Sequence, residues 1–324
     1  MKDTSDNRAF VFIDLLGFKN YVDKNINDAW NLLFNIHIAI EDAISDTKSV
    51  GRYDSFENLI PMSDSIVITS TNPDKLIEQL SVFLLTLFNN VSQDYKNPEN
   101  PNNPMEITKT NHIFAITNNK IEIKNSVKYK QNQYPPLFRG GISYGDVIIF
   151  DTNSIKLFKM EQTRNILGVP FIESYKLESL PDSPSILLSE KFYKELKNKV
   201  SKKYIAKKTI NKKSYHELLW PGYFFEETGL SSILVKFQEI FIPAYNLWIF
   251  FKNEKYANKY SNLLKLIYKS FIRSIEGKEN FQIAKEQVEN YIIKNFSDIV
   301  IKNNKMIIRP TYYRRYRNVS SKSY

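Results

Sequence analysis

The chain contains no cysteine among its 324 residues. That absence excludes disulfide bonds, thiolate zinc sites and cysteine nucleophiles. Histidine is also scarce, because His37, His112 and His216 are the three histidines of the sequence. They are scattered and form no HExxH or similar spacing, so we expect each to be packed or exposed rather than to bind a metal.

Long apolar runs are missing as well. The longest candidate, residues 241–251, contains Pro243 and Asn246 and falls well short of the roughly 20 residues that cross a bilayer. The first residues lack the apolar stretch of a secretory signal. The sequence therefore predicts no membrane span and a cytoplasmic location. It also contains no Walker A motif, no GxGxxG after a predicted strand and no repeat of 20–50 residues.

The composition is that of a globular protein, with 42% hydrophobic and 25% charged residues. The net charge of +10 would suit a polyanion partner, but the lysines are spread widely, which favours a solvated basic surface. Cations and aromatics mix between Arg309 and Arg317, where they could stack on nucleic-acid bases. A solvated or partner-docked tail is the favoured interpretation, so nucleic acid is not an expected partner.

The first ninety residues predict strands and helices in alternation. A buried strand over 10–14 is followed by a turn at Gly17 and a helix over 28–45 with Asp28 as its N-cap. Strands at about 55–60 and 64–69 flank a turn and read as a hairpin. That hairpin presents Asp64 at its tip. A second long helix is predicted over 73–91.

The rest of the chain predicts a surface insertion, further strands and a helical extension. The Asn-, Pro- and Lys-rich stretch 93–136 is the insertion, with at most two short strands at 112–117 and 120–124. Beyond it we expect strand runs over 138–149, a helix ending near 180 and a strand at 185–188. We divide the chain into a domain at 8–195 and a strand-plus-helical extension with a basic tail at 196–324. The extension's helices are predicted at 230–251, 255–276 and 280–296.

Two aspartates stand out, because Asp14 and Asp64 lie in apolar, strand-like runs. A carboxylate among core residues must be hydrogen-bonded, paired or metal-bound, since burying it alone costs several kcal/mol. Either residue taken alone reads as an ordinary capping or turn aspartate. If they lie on adjacent antiparallel strands, they can bridge two divalent ions about 4 Å apart. Such oxygen ligands suit Mg²⁺ or Mn²⁺ better than zinc.

Four motifs in this order resemble those of class III nucleotidyl cyclases, over residues 8 to about 190. They are Phe12-Ile13-Asp14-Leu15-Leu16-Gly17-Phe18, Ser63-Asp64-Ser65, Arg139-Gly140-Gly141-Ile142 with Gly145, and the segment from Gly168 to Glu178. The resemblance implies an α+β, ferredoxin-like catalytic domain that works as a head-to-tail homodimer. It also implies attack of the ribose 3′-hydroxyl on the α-phosphate, with release of pyrophosphate.

The same resemblance assigns roles to individual residues. It implies that Asp14 and Asp64 are the ligands of two Mg²⁺ or Mn²⁺ ions, with a further contact from the Leu15 carbonyl. It implies that Leu16, Gly17 and Phe18 supply backbone groups facing the phosphates. Lys176 stands where the family has its transition-state arginine, and Ile172 stands where it has the ribose-orienting asparagine. Lysine keeps the charge but not the planar fork.

The purine-reading positions of the family also differ, being Ile60 and Asn165 here. Usual guanine or adenine selection is therefore not expected. Two alternatives follow: a degenerate cyclase that only senses nucleotides, or a site rebuilt for another base. The residues of these motifs more closely resemble those of the bacterial pyrimidine cyclases of Pycsar antiphage systems, whose product activates a separate effector protein. That resemblance implies UTP, or less favourably CTP, as substrate. Tyr53, Arg52 and Phe56 are the candidate base contacts, against ordinary packing as the alternative.

Overall fold

The computed structural model describes residues 6–49, 55–96, 106–117, 120–132, 137–151, 164–225, 230–253 and 257–309. Its strands are β1 Asp6–Leu15, β2 Asn58–Met62, β3 Ser65–Ser70, β4 Glu106–Thr117, β5 Lys120–Asn132, β6 Phe138–Asp151, β7 Arg164–Leu167, β8 Ile186–Leu188, β9 Ile205–Ile210, β10 Lys213–Leu218, β11 Ile299–Lys302 and β12 Lys305–Ile308. Its helices are α1 Phe18–Lys24, α2 Ile26–Ser49, α3 Pro73–Lys96, α4 Val169–Glu178, α5 Glu190–Glu195, α6 Lys199–Lys203, α7 Leu230–Phe251, α8 Ala257–Ile275 and α9 Phe281–Asn295, with a 3-10 helix at Trp220–Phe225.

One large mixed sheet organises the protein, with strands in the order β2-β3-β1-β6-β8-β10-β9 and β7 added beside β6. All neighbouring pairs in this sheet are antiparallel except β6 and β8, which are parallel. Strand β1 therefore lies in the middle, hydrogen-bonded on both sides. The protein has an α+β fold, as predicted, with a helical C-terminal region.

The two faces of β1 bury different sets of side chains, as the alternation of a strand requires. Ala9, Val11 and Ile13 belong to the main core, which they share with α2 and α3. Phe10 and Phe12 point to the other face, into a small second cluster with Val67 and Val147. Asp14 follows the alternation of Phe10 and Phe12, so it lies on the second face.

Helix α4 covers part of that second face. Its Phe171 ring meets the ring of Phe10 edge to face, 5.6 Å between centroids. Gly141 of β6 lies directly under the helix, since a Cβ placed there would meet the Ser174 carbonyl oxygen at 2.0 Å. The buried Ser174 hydroxyl also donates to the Phe10 carbonyl at 3.0 Å. A residue without a side chain on β6 thus sets how closely α4 approaches the sheet.

Several predicted boundaries moved. The first long helix begins at Ile26, and its N-cap is Asn25, whose side chain accepts from the Asn27 N–H at 3.0 Å. Asp28 is therefore inside the first turn and is not the cap. The insertion holds a hairpin whose strands have 12 and 13 residues, longer than the two short strands predicted. The prediction was too short because this polar segment has no apolar alternation to mark where its strands begin and end.

The central sheet does not end at residue 195. Strand β10 pairs with β8, and β9 pairs with β10, so the Lys-rich alternation of 201–219 extends the same sheet. The division of the chain into domains at 195/196 stays a prediction.

The three long C-terminal helices lie where the sequence predicted them. Helix α7 packs on α3, and α8 and α9 pack on α7, all within the main core. Among the described residues one helical stretch, Ser232–Phe251, is long and apolar enough to cross a membrane by length and composition alone. Its Phe237, Phe241 and Leu247 are fully buried, as in the core helix of a folded protein.

Candidate active site

Asp14 sits at the centre of a row of polar side chains that crosses three strands. On β3 its partner in the register is Ser65, and on β6 its partner is Arg139. Directly paired residues of antiparallel strands share a face, so the three side chains meet above the sheet. The Ser65 hydroxyl donates to Asp14 Oδ1 at 2.8 Å, and Arg139 Nη2 lies 3.5 Å from Asp14 Oδ2.

Asp64 is brought to the same place by the β2–β3 hairpin. It occupies the turn between the two strands, after Ser63 with its positive φ of 59°. The backbone N–H of Leu15 donates to the Asp64 carbonyl oxygen at 3.0 Å, which joins the turn to the end of β1. The structure thus confirms the predicted hairpin and brings the two aspartates together.

The surroundings of Asp14 disfavour the charged form of its carboxyl group. Burial raises the pKa of the Asp14 carboxyl above its usual range, and the Asp64 charge raises it further. The Ser65 hydrogen bond and the Arg139 charge act in the opposite direction without cancelling the rise. A carboxylate whose pKa is raised by burial and by a like charge is typical of functional sites.

Two further residues belong to the site, and sequence reasoning gave them no role. Arg139 Nε lies 2.5 Å from Glu178 Oε1, at an angle that makes the contact an ion pair rather than a linear hydrogen bond. Glu178 ends α4, its side chain is 4% exposed, and burial raises its pKa. Both residues stand within the quoted motifs, but no spacing rule pairs position 139 with position 178. Only the packing of α4 on the sheet does so.

The donor set fits a hard divalent cation that arrives with a substrate. Within the described ranges, no group of three or more His, Asp or Glu side chains is placed to hold a metal ion. Two carboxylates fill only part of the octahedral coordination shell of Mg²⁺. Substrate phosphates and water commonly fill the remaining positions. Asp14 and Asp64 are thus suited to hold Mg²⁺ or Mn²⁺ jointly with a polyphosphate.

The loop after β1 makes the predicted turn. Gly17 has φ of 92°, a left-handed conformation that favours glycine, and α1 starts at Phe18. The Leu16 N–H donates to the Leu137 carbonyl oxygen at 2.7 Å, so this N–H is already engaged. Phosphate contacts from Leu16, Gly17 and Phe18, and a metal contact from the Leu15 carbonyl, remain predictions.

The candidate base-selecting residues fall into separate places. Ile60 packs on the second apolar cluster, on the face that carries Asp14. Asn165 pairs with Phe150 in the β6–β7 ladder, next to Ile166 of the same cluster. Phe56 instead packs on Phe83 in the main core, 5.6 Å between ring centroids, and is not brought together with them. Arg52 and Tyr53 lie outside the described residues.

Lys176 is exposed on α4, and among the described residues it forms no ion pair with Asp14 or Asp64 of its own chain. It stands within an apolar surface that we call the α4 patch. Leu167, Val169, Ile172 and Tyr175 form this patch, and each is more than half exposed. Apolar side chains this exposed and this close together mark a surface suited to contact another molecule.

Comparison with known proteins adds similarity in three-dimensional structure alone. No protein-family model matches the chain, and no curated protein matches it. Among solved structures, the guanylyl cyclase Cya2 is similar at 12% identity and a TM-score of 0.43, covering 67% of this chain and 93% of that one.

Two other cyclases give similar alignments. An adenylate cyclase from Trypanosoma brucei in its monomeric state aligns at 13% identity and a TM-score of 0.41, covering 66% of this chain and 90% of that one. The guanylate cyclase domain of RhGC from Catenaria anguillulae, solved with GTP, aligns at 12% identity and a TM-score of 0.37, covering 65% and 93%. At such identities and TM-scores, function has to be inferred from the site itself.

Proposed function

We propose that this protein is a nucleotidyl cyclase that converts a nucleoside triphosphate to its 3′,5′-cyclic nucleotide and pyrophosphate. The observation that carries the proposal is the meeting of Asp14 and Asp64 at the ends of β1 and of the β2–β3 hairpin, with the Asp14 pKa raised by burial and by the second carboxylate. The class III cyclase motifs fall on these same residues.

In this reaction the 3′-oxygen forms a bond to the α-phosphorus, and the bond from that phosphorus to the bridging oxygen of the β-phosphate breaks. Pyrophosphate leaves, and the hydroxyl proton passes to solvent. Two Mg²⁺ or Mn²⁺ ions, when bound, would lower the pKa of the attacking hydroxyl and neutralise charge on the leaving group. Asp14 and Asp64 are the residues that would hold those ions beside the triphosphate. Ser65 orients the Asp14 carboxylate for that task.

We further propose that two chains form a head-to-tail homodimer. Lys176 is exposed beside the α4 patch, and within the described part of the chain no ion pair joins it to Asp14 or Asp64, which supports a role at the site of a second chain. There its ammonium would stabilise the charge that spreads over the phosphoryl oxygens in the transition state. The patch itself supplies apolar surface for the contact.

For the base, we propose a pyrimidine, with UTP favoured over CTP. Ile60 packs in an apolar cluster on the Asp14 face and offers no donor or acceptor to a purine edge. A site that lacks the polar groups for one base discriminates poorly in its favour. The cyclic product would act as a second messenger in antiphage defence in the cytoplasm, by activating a separate effector protein.

The test is to incubate the purified protein with Mn²⁺ and each of the four ribonucleoside triphosphates in turn, and to resolve the products by chromatography with mass detection. A cyclic UMP or cyclic CMP peak is the expected result and fixes the base. A purine product would reject the pyrimidine assignment while keeping the cyclase. Metal-dependent nucleotide binding in calorimetry without pyrophosphate release would instead identify a nucleotide sensor.

A further inference from the structure

We propose that Arg139 and Glu178 form a positioning pair that controls how firmly Asp14 holds a divalent cation. In this arrangement Glu178 draws the Arg139 guanidinium away from Asp14, which leaves the aspartate available to the metal. The inference rests on the proposed metal role of Asp14, and it assigns a function to two residues outside the metal-binding motifs.

The Arg139 guanidinium lies closer to Glu178 than to Asp14. Its Nε is 2.5 Å from Glu178 Oε1, while its Nη2 is 3.5 Å from Asp14 Oδ2. Coulomb attraction grows as the separation falls and as water is excluded, so the buried Glu178 is the stronger partner. Asp14 keeps a long and partly solvated contact with the same cation. A metal ion at Asp14 would therefore displace a weak ion pair rather than a strong one.

Glu178 is placed for this task by the fold. It ends α4, which the Ser174 hydroxyl and the bare backbone of Gly141 hold close against β1 and β6. Its side chain is 4% exposed, whereas that of Arg139 is 27% exposed. A carboxylate this buried retains its charge only beside a cation, and Arg139 is the cation that the structure brings to it.

The consequence concerns metal affinity. Without the Glu178 charge, Arg139 would pair with Asp14 alone, and a divalent cation would have to compete with a guanidinium for the same oxygen. Outer-shell partners of metal ligands commonly change metal affinity by about 10–100-fold. Glu178 and Arg139 contact no reacting atom in this arrangement, so they are positioning residues and not catalytic ones.

The test measures the Mn²⁺ dissociation constant of the full chain by calorimetry, in the presence of a non-cyclising nucleoside triphosphate analogue. We expect Glu178→Gln to weaken Mn²⁺ binding about tenfold or more. Glu173→Gln, the same change on the same helix but outside the Arg139 contact, is the matched control and should stay within about twofold.

Loss of the Glu178 charge would by itself weaken cation binding at Asp14. A double-mutant cycle therefore separates this direct effect from the effect that acts through Arg139. In the Arg139→Gln background, Glu178→Gln should change the Mn²⁺ dissociation constant by no more than about twofold. The double variant also leaves no unpaired buried charge if Arg139→Gln alone fails to fold. Melting temperatures, recorded for every variant, separate loss of fold from loss of affinity.

Two results would overturn the inference: a Glu178→Gln protein that keeps its melting temperature and the affinity of the unmodified chain, or an equal loss of affinity in both Arg139 backgrounds. Neither result bears on the proposed reaction, which is read by product formation. Conversely, absence of any cyclic product leaves the Mn²⁺ measurements able to decide the role of the pair.

Discussion

Two buried carboxylate clusters lie on the same sheet, and they are built in opposite ways. At the β8–β10–β9 end, Glu217 is 4% exposed and receives Lys208 Nζ at 2.8 Å, Ser185 Oγ at 2.8 Å and Lys269 Nζ at 3.0 Å. At the β3–β1–β6 centre, Asp14 and Glu178 share the Arg139 guanidinium, and the Asp64 charge acts on both carboxylates. The first cluster has more cations than carboxylates, and the second has fewer.

The pKa values follow this difference. Burial acts against ionisation of Glu217, but Lys208 and Lys269 outweigh it and lower the pKa of that carboxyl. Burial dominates at Asp14 and Glu178, and both pKa values are raised. A satisfied cluster stabilises the fold, whereas an under-compensated cluster has capacity left for a cation. The contrast thus separates a structural ion network from a candidate metal site.

The largest effect is expected from removing the metal-binding aspartates. Asp14→Ala and Asp64→Ala should each lower cyclic nucleotide formation by more than about 100-fold, since even outer-shell residues of metal sites cost up to about that much. Asp14→Asn should do the same with a melting temperature at or above that of the unmodified chain, because it removes a charge that burial disfavours. Full activity in both alanine variants would end the metal assignment.

The Glu217 cluster should respond in the opposite way. Glu217→Gln leaves Lys208 and Lys269 without their carboxylate, and we expect the free energy of unfolding to fall by about 2–3 kcal/mol. Activity per folded molecule should stay unchanged, as measured by initial rates at a temperature well below both unfolding transitions. A variant that is stable but inactive would contradict the division between the two clusters.

A smaller effect is expected from the hydrogen bond that orients Asp14. Ser65→Ala removes the donor to Oδ1, and we expect the Mn²⁺ concentration for half-maximal activity to rise by up to about tenfold. Ser183→Ala, which removes a buried hydroxyl beside Lys208 at the other cluster, is the control and should leave that concentration unchanged. Equal shifts in both variants would mean that the readout reports stability.

The subtlest prediction concerns pH. The pKa of Glu217 lies below its ordinary value of 4.5 in the folded protein, so the unfolded chain binds the proton more readily. Its stabilising contribution is therefore present above pH 4.5 and is lost as the pH falls toward the folded pKa. Urea unfolding at a series of pH values should show this acid loss in the unmodified chain and a flatter profile in Glu217→Gln. Parallel profiles would contradict it.

Most of the correct predictions rest on patterns within short stretches of the sequence. The apolar alternation around Asp14 predicts β1, and the hairpin around Asp64 is confirmed, with its turn at residues 63–64 rather than 61–63. The three C-terminal helices were likewise visible in their periodicity. The N-cap at Asn25 was not predicted, because Asn25 and Asp28 are equally good caps by residue type. Only the backbone conformation shows which of them caps the helix.

The sequence by itself determined the α+β class, the hairpin that presents Asp64 and the motifs that resemble a nucleotidyl cyclase, because each depends on short spacings along the chain. Tertiary structure alone decided the rest. It joined β8 to β10 across residue 195, and it set Arg139 between Asp14 and Glu178. It also separated Phe56 from Ile60. These contacts join residues far apart in sequence, and strand register and helix packing fix them where no local pattern can.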